Sequence, residues 1–265
     1  MELAGAHVVV TGASRGIGRH LVNTLIDRGA RLAVVARSRT LLESLAEQYG
    51  DDRVAAFPCD LGDATAIDGL IARIEAGRGP VDGLVNNAGV EHTGGFVAMT
   101  AADLRSVIDV NLVAPAELCR QVLPGMIARR RGHITNVSSI GGSLASAGLS
   151  VYCATKAGVN QLTAGLRSEL KGTGVGTTLV EIGTVATEMM DSVRGYGPAA
   201  ASVRRLERTG LSPELDPAIV AVAVVAAIES GRRHVRLPRR QAPMSMLAEA
   251  PRRVAEILTL GLPGA

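Results

Sequence analysis

Short apolar runs alternate with stretches of helical period along nearly the whole chain. His7 to Thr11, Arg31 to Val35, Val54 to Pro58, Gly83 to Asn86, Gly132 to Val137, Gly176 to Glu181 and His234 to Leu237 each read as a strand. They are short, rich in β-branched residues and bounded by turn or helix signals. Between them the pattern predicts helices from the first glycine-rich turn through Arg28, over Thr40 to Gln48, over Leu104 to Arg129 and over Tyr152 to Lys171. Strands without polar alternation are covered on both faces, which is the condition of a parallel sheet. No repeat or low-complexity linker interrupts the pattern. Residues 1–265 therefore predict a single α/β domain, a doubly wound parallel sheet of about seven strands with helices on both faces.

Composition narrows the function classes. Hydrophobic residues make up 47% of the chain and aromatics only 2%, so the core is built from Ala, Val, Leu and Ile. The formal charge of +3 comes with dispersed arginines, apart from Arg129-Arg130-Arg131 and a group between Arg232 and Arg253. No basic stripe interleaved with aromatics is present, which argues against a nucleic-acid partner. Cys59, Cys119 and Cys153 are widely spaced, without a CxxC motif, and read as free thiols of a reducing compartment. No cluster with metal-ligand spacing stands out. The N-terminus lacks the features of a signal peptide, and the longest apolar run, Ala218 to Ile228, is too short to span a bilayer. A cytoplasmic protein is expected.

The segment Thr11-Gly12-Ala13-Ser14-Arg15-Gly16-Ile17-Gly18 lies between the first strand and the first helix. Glycines there permit a tight turn and close approach of backbone to a pyrophosphate, and the helix N-terminus presents free N–H groups to that anion. After the second strand a dinucleotide site for NAD carries an acid that binds the ribose hydroxyls. This chain has Ala36-Arg37-Ser38 instead. Arg37, with Arg15, suits a 2′-phosphate, because guanidinium pairs well with phosphate. NADP is the cofactor expected.

Tyr152 and Lys156 stand one helical turn apart and so share a helix face, and Ser139 precedes them at the end of a strand. A free phenol titrates near ~10, and an adjacent ammonium favours the phenolate. Lowering that value by ~3 units takes roughly 4 kcal/mol, within reach of a close, partly desolvated ammonium assisted by a second positive charge. The chain has only two lysines, Lys156 and Lys171.

Taken in order, Thr11 to Gly18, Asn86-Asn87-Ala88-Gly89, Asn111, Ser139 and Tyr152-x-x-x-Lys156 resemble the single-domain short-chain dehydrogenase/reductases over roughly residues 5 to 190. The resemblance implies a Rossmann-type fold. It also implies hydride transfer between a nicotinamide and a carbonyl or secondary alcohol, with Tyr152 as general acid–base. Lys156 would lower the tyrosine pKa and bind the nicotinamide ribose, Ser139 would hold the substrate oxygen, and Asn111 would complete a water-linked proton path. A structural, helix-bending asparagine is the other reading of Asn111. Cofactor contacts are implied for Gly12, Ser14, Arg15, Gly16, Ile17 and Gly18, for Arg37, for Asp60 at the adenine with Leu61, and for Asn87, Ala88 and Gly89 on the adenosine side. Gly183, Val185 and Thr187 follow the sixth strand, with Thr187 near the carboxamide. Ser138 alternates to the opposite strand face and is assigned a structural role.

Two departures from the family pattern stand out: Ile182 replaces the usual proline before Gly183, and the C-terminal part from Arg236 onward ends in an amphipathic tail, 239–265. Expected substrate walls are His92 to Val97, Gly141 to Leu149 and Met189 to Leu211. Residues 188–215 read either as a mobile apolar lid, suited to a hydrophobic or lipid-like ketone, or as a surface loop packed on itself. A cofactor-binding sensor or scaffold without turnover is the alternative function, and retention of Ser139, Tyr152 and Lys156 argues against it. Membrane contact through Pro251 to Leu260 is weighed below docking of that helix on protein. Small apolar residues around the two long helices, among them Ala157, Gly158 and Leu162, predict a homodimer or homotetramer.

Overall fold

The apolar runs become strands, the inner ones largely buried and the edge strands at Val54–Pro58 and His234–Leu237 only partly so. In a computed structural model, which describes residues 1–210, 212–243, 245–248 and 250, the strands are β1 (His7–Thr11), β2 (Arg31–Ala36), β3 (Val54–Pro58), β4 (Gly83–Asn86), β5 (Gly132–Ser139), β6 (Val175–Ile182) and β7 (His234–Leu237). They form one sheet in the order β3-β2-β1-β4-β5-β6-β7, and every neighbouring pair is parallel. Alternation along the strands serves two cores. Val8 and Val10 face one cluster together with Leu32 and Val34, whereas Val9 faces the other with Ala33 and Val35.

The first core is closed by α1 (Gly16–Asp27), α2 (Arg39–Tyr49) and a late helix, Pro217–Ser230. The second is closed by two helices between β3 and β4, α3 (Ala64–Ile67) and α4 (Leu70–Arg78), and by the long helical stretch before β5. Neither α3 nor α4 was expected from the pattern. A parallel crossover needs one, and Asp63 starts α3 by accepting the Thr65 N–H at 2.8 Å.

The single helix expected over Leu104 to Arg129 is three segments: α5 (Ala101–Ile108), a π turn over Asp109–Val113 and α6 (Ala114–Ala128). The cause is legible in the residues. Pro115 has no N–H to give the carbonyl of Asn111, four residues earlier, so regular α-helical bonding fails there. After β5 comes α7 (Ser150–Glu169), which carries Tyr152 and Lys156. Residues 188–215 are largely helical, with α8 (Glu188–Gly195) and α9 (Gly197–Arg208) before the late helix, α10 (Pro217–Ser230).

Ile182 extends β6, paired with Ser139 on one side and Leu237 on the other. It therefore keeps a regular strand end where the family proline would restrict the backbone. Gly183 N donates to the Leu237 carbonyl at 2.7 Å. Buried Gln241, at the start of the expected tail, packs against Gly183, where a Cβ would lie 2.7 Å from its Oε1. The part of the tail from 251 to 265, including Pro251 to Leu260, lies outside the described residues, as does Leu211 of the expected lid.

Candidate active site

The strand order reverses between β1 and β4, and the chain ends of those two strands open a crevice. In open α/β sheets that crevice is the binding position. Gly12 turns the chain there at φ +65°, and a Cβ on it would lie 2.8 Å from the Cα of Ala88. Gly18 is tighter still, its absent Cβ overlapping the Gly12 carbonyl. Thr11 ties the two strand ends together: its Oγ1 accepts from the N–H groups of Asn87 and Ala88, each at 3.0 Å, and the Asn87 Nδ2 donates to the Thr11 carbonyl at 2.9 Å. The result is a concave backbone turn running into the N-terminus of α1. It fits a pyrophosphate, with Ser14 in the turn and half-buried Ile17 at the cavity wall.

The other expected cofactor residues surround this turn. Arg37 is exposed at the end of β2, and Ser38 beside it caps α2 by accepting the Leu41 N–H. Exposed Asp60, after β3, accepts the Gly62 N–H at 2.9 Å, with Leu61 buried beside it. Thr187 comes down over Gly16, its Cγ2 3.3 Å from where a Cβ would be, and its hydroxyl donates to the Val185 carbonyl. Arg15 is not set beside Arg37. It reaches Glu188 at the start of α8, Nη1 to Oε2 2.7 Å, in a largely exposed pair. Gly89 sits at the inner end, where its missing Cβ leaves room for Asn111 Oδ1 and Lys156 Nζ.

Ser139, Tyr152, Lys156 and Asn111 converge at the ends of β5 and α7. Ser139 Oγ accepts the Gly141 N–H at 3.1 Å, and both Ser139 and Tyr152 line the same cavity. Lys156 is buried, with Nζ donating to the Val137 carbonyl at 3.1 Å and lying 5.6 Å from the centre of the Tyr152 ring. Asn111, in the π turn, exchanges two hydrogen bonds of 2.8 Å with the backbone of Val90 and donates to Thr155 Oγ1 at 3.2 Å. Ser138 points the other way and donates to the Lys156 carbonyl at 3.2 Å. Below, Asn86 donates to Asn136, which donates to Thr163, at 2.9 Å in each case.

The electrostatics differ from the expectation drawn from the Tyr–Lys spacing. Burial pushes the Tyr152 phenol up to about 12; the Ser139 hydrogen bond opposes this, and the charge of Glu91 adds to it. Burial brings Lys156 down to about 8, so it remains mostly protonated at neutral pH. The ammonium is spent on the Val137 carbonyl and lies toward the ring. In this arrangement burial prevails, and the phenol stays above its ordinary value.

These residues open on a cavity of about 500 Å³, a size that accepts a small organic ligand. Gly141 to Leu149 and α8–α9 form its walls as expected, through Leu144, Leu149, Met189, Met190, Val193 and Leu206. His92 to Val97 do not border it. Gly94 N–H donates to the Gly148 carbonyl at 3.0 Å, Phe96 and Val97 are exposed, and Glu91 is the residue of this connection that lines the cavity. Glu91 and Arg205 were not singled out in the sequence, since neither belongs to a motif. Among the described residues no group of ligating side chains could hold a metal, and no helix is long and apolar enough to cross a membrane.

Comparison with known proteins places this geometry. A sequence model described as short chain dehydrogenase matches residues 6–195. The chain is 35% identical over 231 residues to ketoacyl reductase HetN of a Nostoc strain, covering 86% of this chain and 77% of the relative. It is 36% identical over 210 residues to the NADP-dependent 3-hydroxy acid dehydrogenase YdfG of Salmonella typhi, covering 78% and 84%. A solved short-chain dehydrogenase/reductase from Burkholderia phymatum in complex with NAD superposes with a TM-score of 0.82 at 25% identity, over 96% of each chain.

Proposed function

Because the chain belongs to the short-chain dehydrogenase family and is an oxidoreductase acting on CH–OH or C=O groups, we propose that it is an NADP-dependent enzyme for a hydrophobic ketone or the matching secondary alcohol. The observation that carries this reading is Ser139 and Tyr152 side by side on the wall of an apolar cavity beside the glycine turn, with buried Lys156 behind them. When bound, the nicotinamide supplies or accepts the hydride and, in its oxidised form, a positive charge.

Ser139 and Tyr152 hold the substrate oxygen between two hydroxyls. Tyr152 delivers its proton to that oxygen in reduction and takes it back in oxidation. A phenol held near 12 releases its proton reluctantly; the Lys156 ammonium favours that release, and a bound oxidised nicotinamide would add a second positive charge. The resting protein, with a protonated tyrosine, is set for reduction. Asn111 fixes Val90 and so the floor beside Lys156. With its carbonyl freed by Pro115, it offers an acceptor through which water can return a proton to Lys156.

The relatives leave the cofactor open, since one is named NADP-dependent and one solved neighbour holds NAD. Arg37 favours NADP: it stands exposed after β2 with no acid beside it. Arg15 can join it, because an exposed ion pair such as Arg15–Glu188 is worth no more than about 1 kcal/mol. The apolar walls contributed by α8 and α9 make 188–215 a substrate lid. Following reduced-nicotinamide absorbance with NADPH or NADH across a panel of apolar ketones tests the proposal. Turnover that is faster with NADPH supports it, and no oxidation with any ketone refutes it.

A further inference from the structure

The cavity wall is apolar except at two places. Among the described residues that line it, only Glu91 and Arg205 carry charge. Glu91 is half-buried on the same cavity wall as the catalytic tyrosine, where burial raises its carboxyl and the nearby Ser192 hydroxyl opposes that rise. Arg205 is exposed on α9 and therefore stands at the mouth. Its side chain makes no hydrogen bond or ion pair among the described residues. The carboxylates of α9 and the segment after it are engaged elsewhere: Glu207 and Glu214 both hold Arg194, at 3.2 and 2.8 Å.

A cavity charged in this way discriminates along its length. A carboxylate next to the reacting carbonyl would meet Glu91 in a poorly hydrated corner, where like charges repel strongly. An anionic group at the far end of an apolar chain would meet an unpaired guanidinium, the side chain best suited to carboxylate or phosphate. We propose that Glu91 and Arg205 select an elongated apolar ketone, or its secondary alcohol, whose anionic group lies remote from the reacting carbon. The inference rests on the reading of this cavity as the substrate site. It separates the chain from an enzyme built for short acids with the carboxylate beside the reacting carbon.

The test uses the full-length protein with NADPH and three medium-chain methyl ketones that differ only at the far end: a carboxylate, its methyl ester and a phosphate monoester. At low ionic strength the carboxylate should exceed the ester in kcat/KM by roughly three- to ten-fold, mainly through KM, and salt should shrink the advantage. The phosphate monoester shows whether the rim reads charge alone or prefers one headgroup. In Arg205→Gln the acid-to-ester ratio should fall toward one, and Arg205→Lys should keep part of it. In Glu91→Gln, a ketone with its carboxylate beside the carbonyl should gain on its own ester. Turnover of the ester with no advantage for either anion, or an advantage that survives Arg205→Gln, overturns the inference and leaves the proposed function standing. No turnover of any of the three overturns both.

Discussion

Burial is the first cause of the shifts at the buried titrating groups of the site and the sheet. Tyr152 goes up to about 12 and Lys156 down to about 8, each mainly through loss of water. His133 follows the same rule: burial lowers it to about 4, and its ring nitrogen lies 2.9 Å from Thr178 Oγ1. Thr178 gives its own proton to the Arg232 carbonyl, so the His133 Nε2 is the donor and the neutral ring is the form that fits. A histidine depressed in the folded state contributes stability that is present above its unfolded pKa near 6.5 and lost as pH falls through about 4. The loss should approach about 3 kcal/mol. Urea unfolding of wild type and His133→Gln at neutral pH and near the lower value measures it, and the variant should lose the His133 share of the slope while His7, also lowered by burial, keeps its own. At the cofactor end, Arg37→Ala should weaken NADPH binding about ten- to a hundred-fold and leave NADH nearly unchanged, as expected for one charge-assisted contact. Titration of both cofactors decides this, and equal losses for the two would contradict the 2′-phosphate assignment.

At the scale of elements, the sheet was legible because each strand is a buried apolar run, and the glycine turn because its φ angles and close contacts demand glycine. What was not legible depended on contacts made far along the chain. The π turn at Asn111 comes from Pro115, a local cue hidden inside a long apolar pattern. The placement of Glu91 depends on Val90 being held by Asn111 and on Gly94 being held by the Gly148 carbonyl, contacts made far along the chain. Helices α8 and α9 carry polar faces that resemble a loop until Tyr196 is seen packing over Gly148. Gly148 has φ +81°, and a Cβ on it would come 2.6 Å from the Tyr196 ring. Gly148→Ala should therefore cost about 1–2 kcal/mol in backbone strain alone and push the lid outward. The expected result is a lower Tm and a raised KM for ketones, with NADPH affinity retained. Adding Tyr196→Ala should recover part of the Tm, since it removes the clash but not the strain.

For the whole molecule, the two cores account for the strands and for one face of each helix, and some apolar surface is left over. Val113 and Ile127 flank and end α6 with 46% and 40% of their surface exposed, and Ala157 and Leu162 on α7 are only half-buried. Faces of this kind suit a symmetric partner, and light scattering at micromolar concentration should give a multiple of 27.4 kDa. A monomer mass would contradict that expectation without touching the chemistry. The chemistry stands on the tyrosine, which the sequence motif singled out and the structure sets against Ser139 at the cavity. The most direct measurement is the turnover of Tyr152→Phe with a ketone that the wild type reduces, alongside its affinity for NADPH. The account predicts NADPH affinity close to wild type and turnover lower by at least ~100-fold, the scale of general acid–base catalysis. Turnover near the wild-type rate would contradict it.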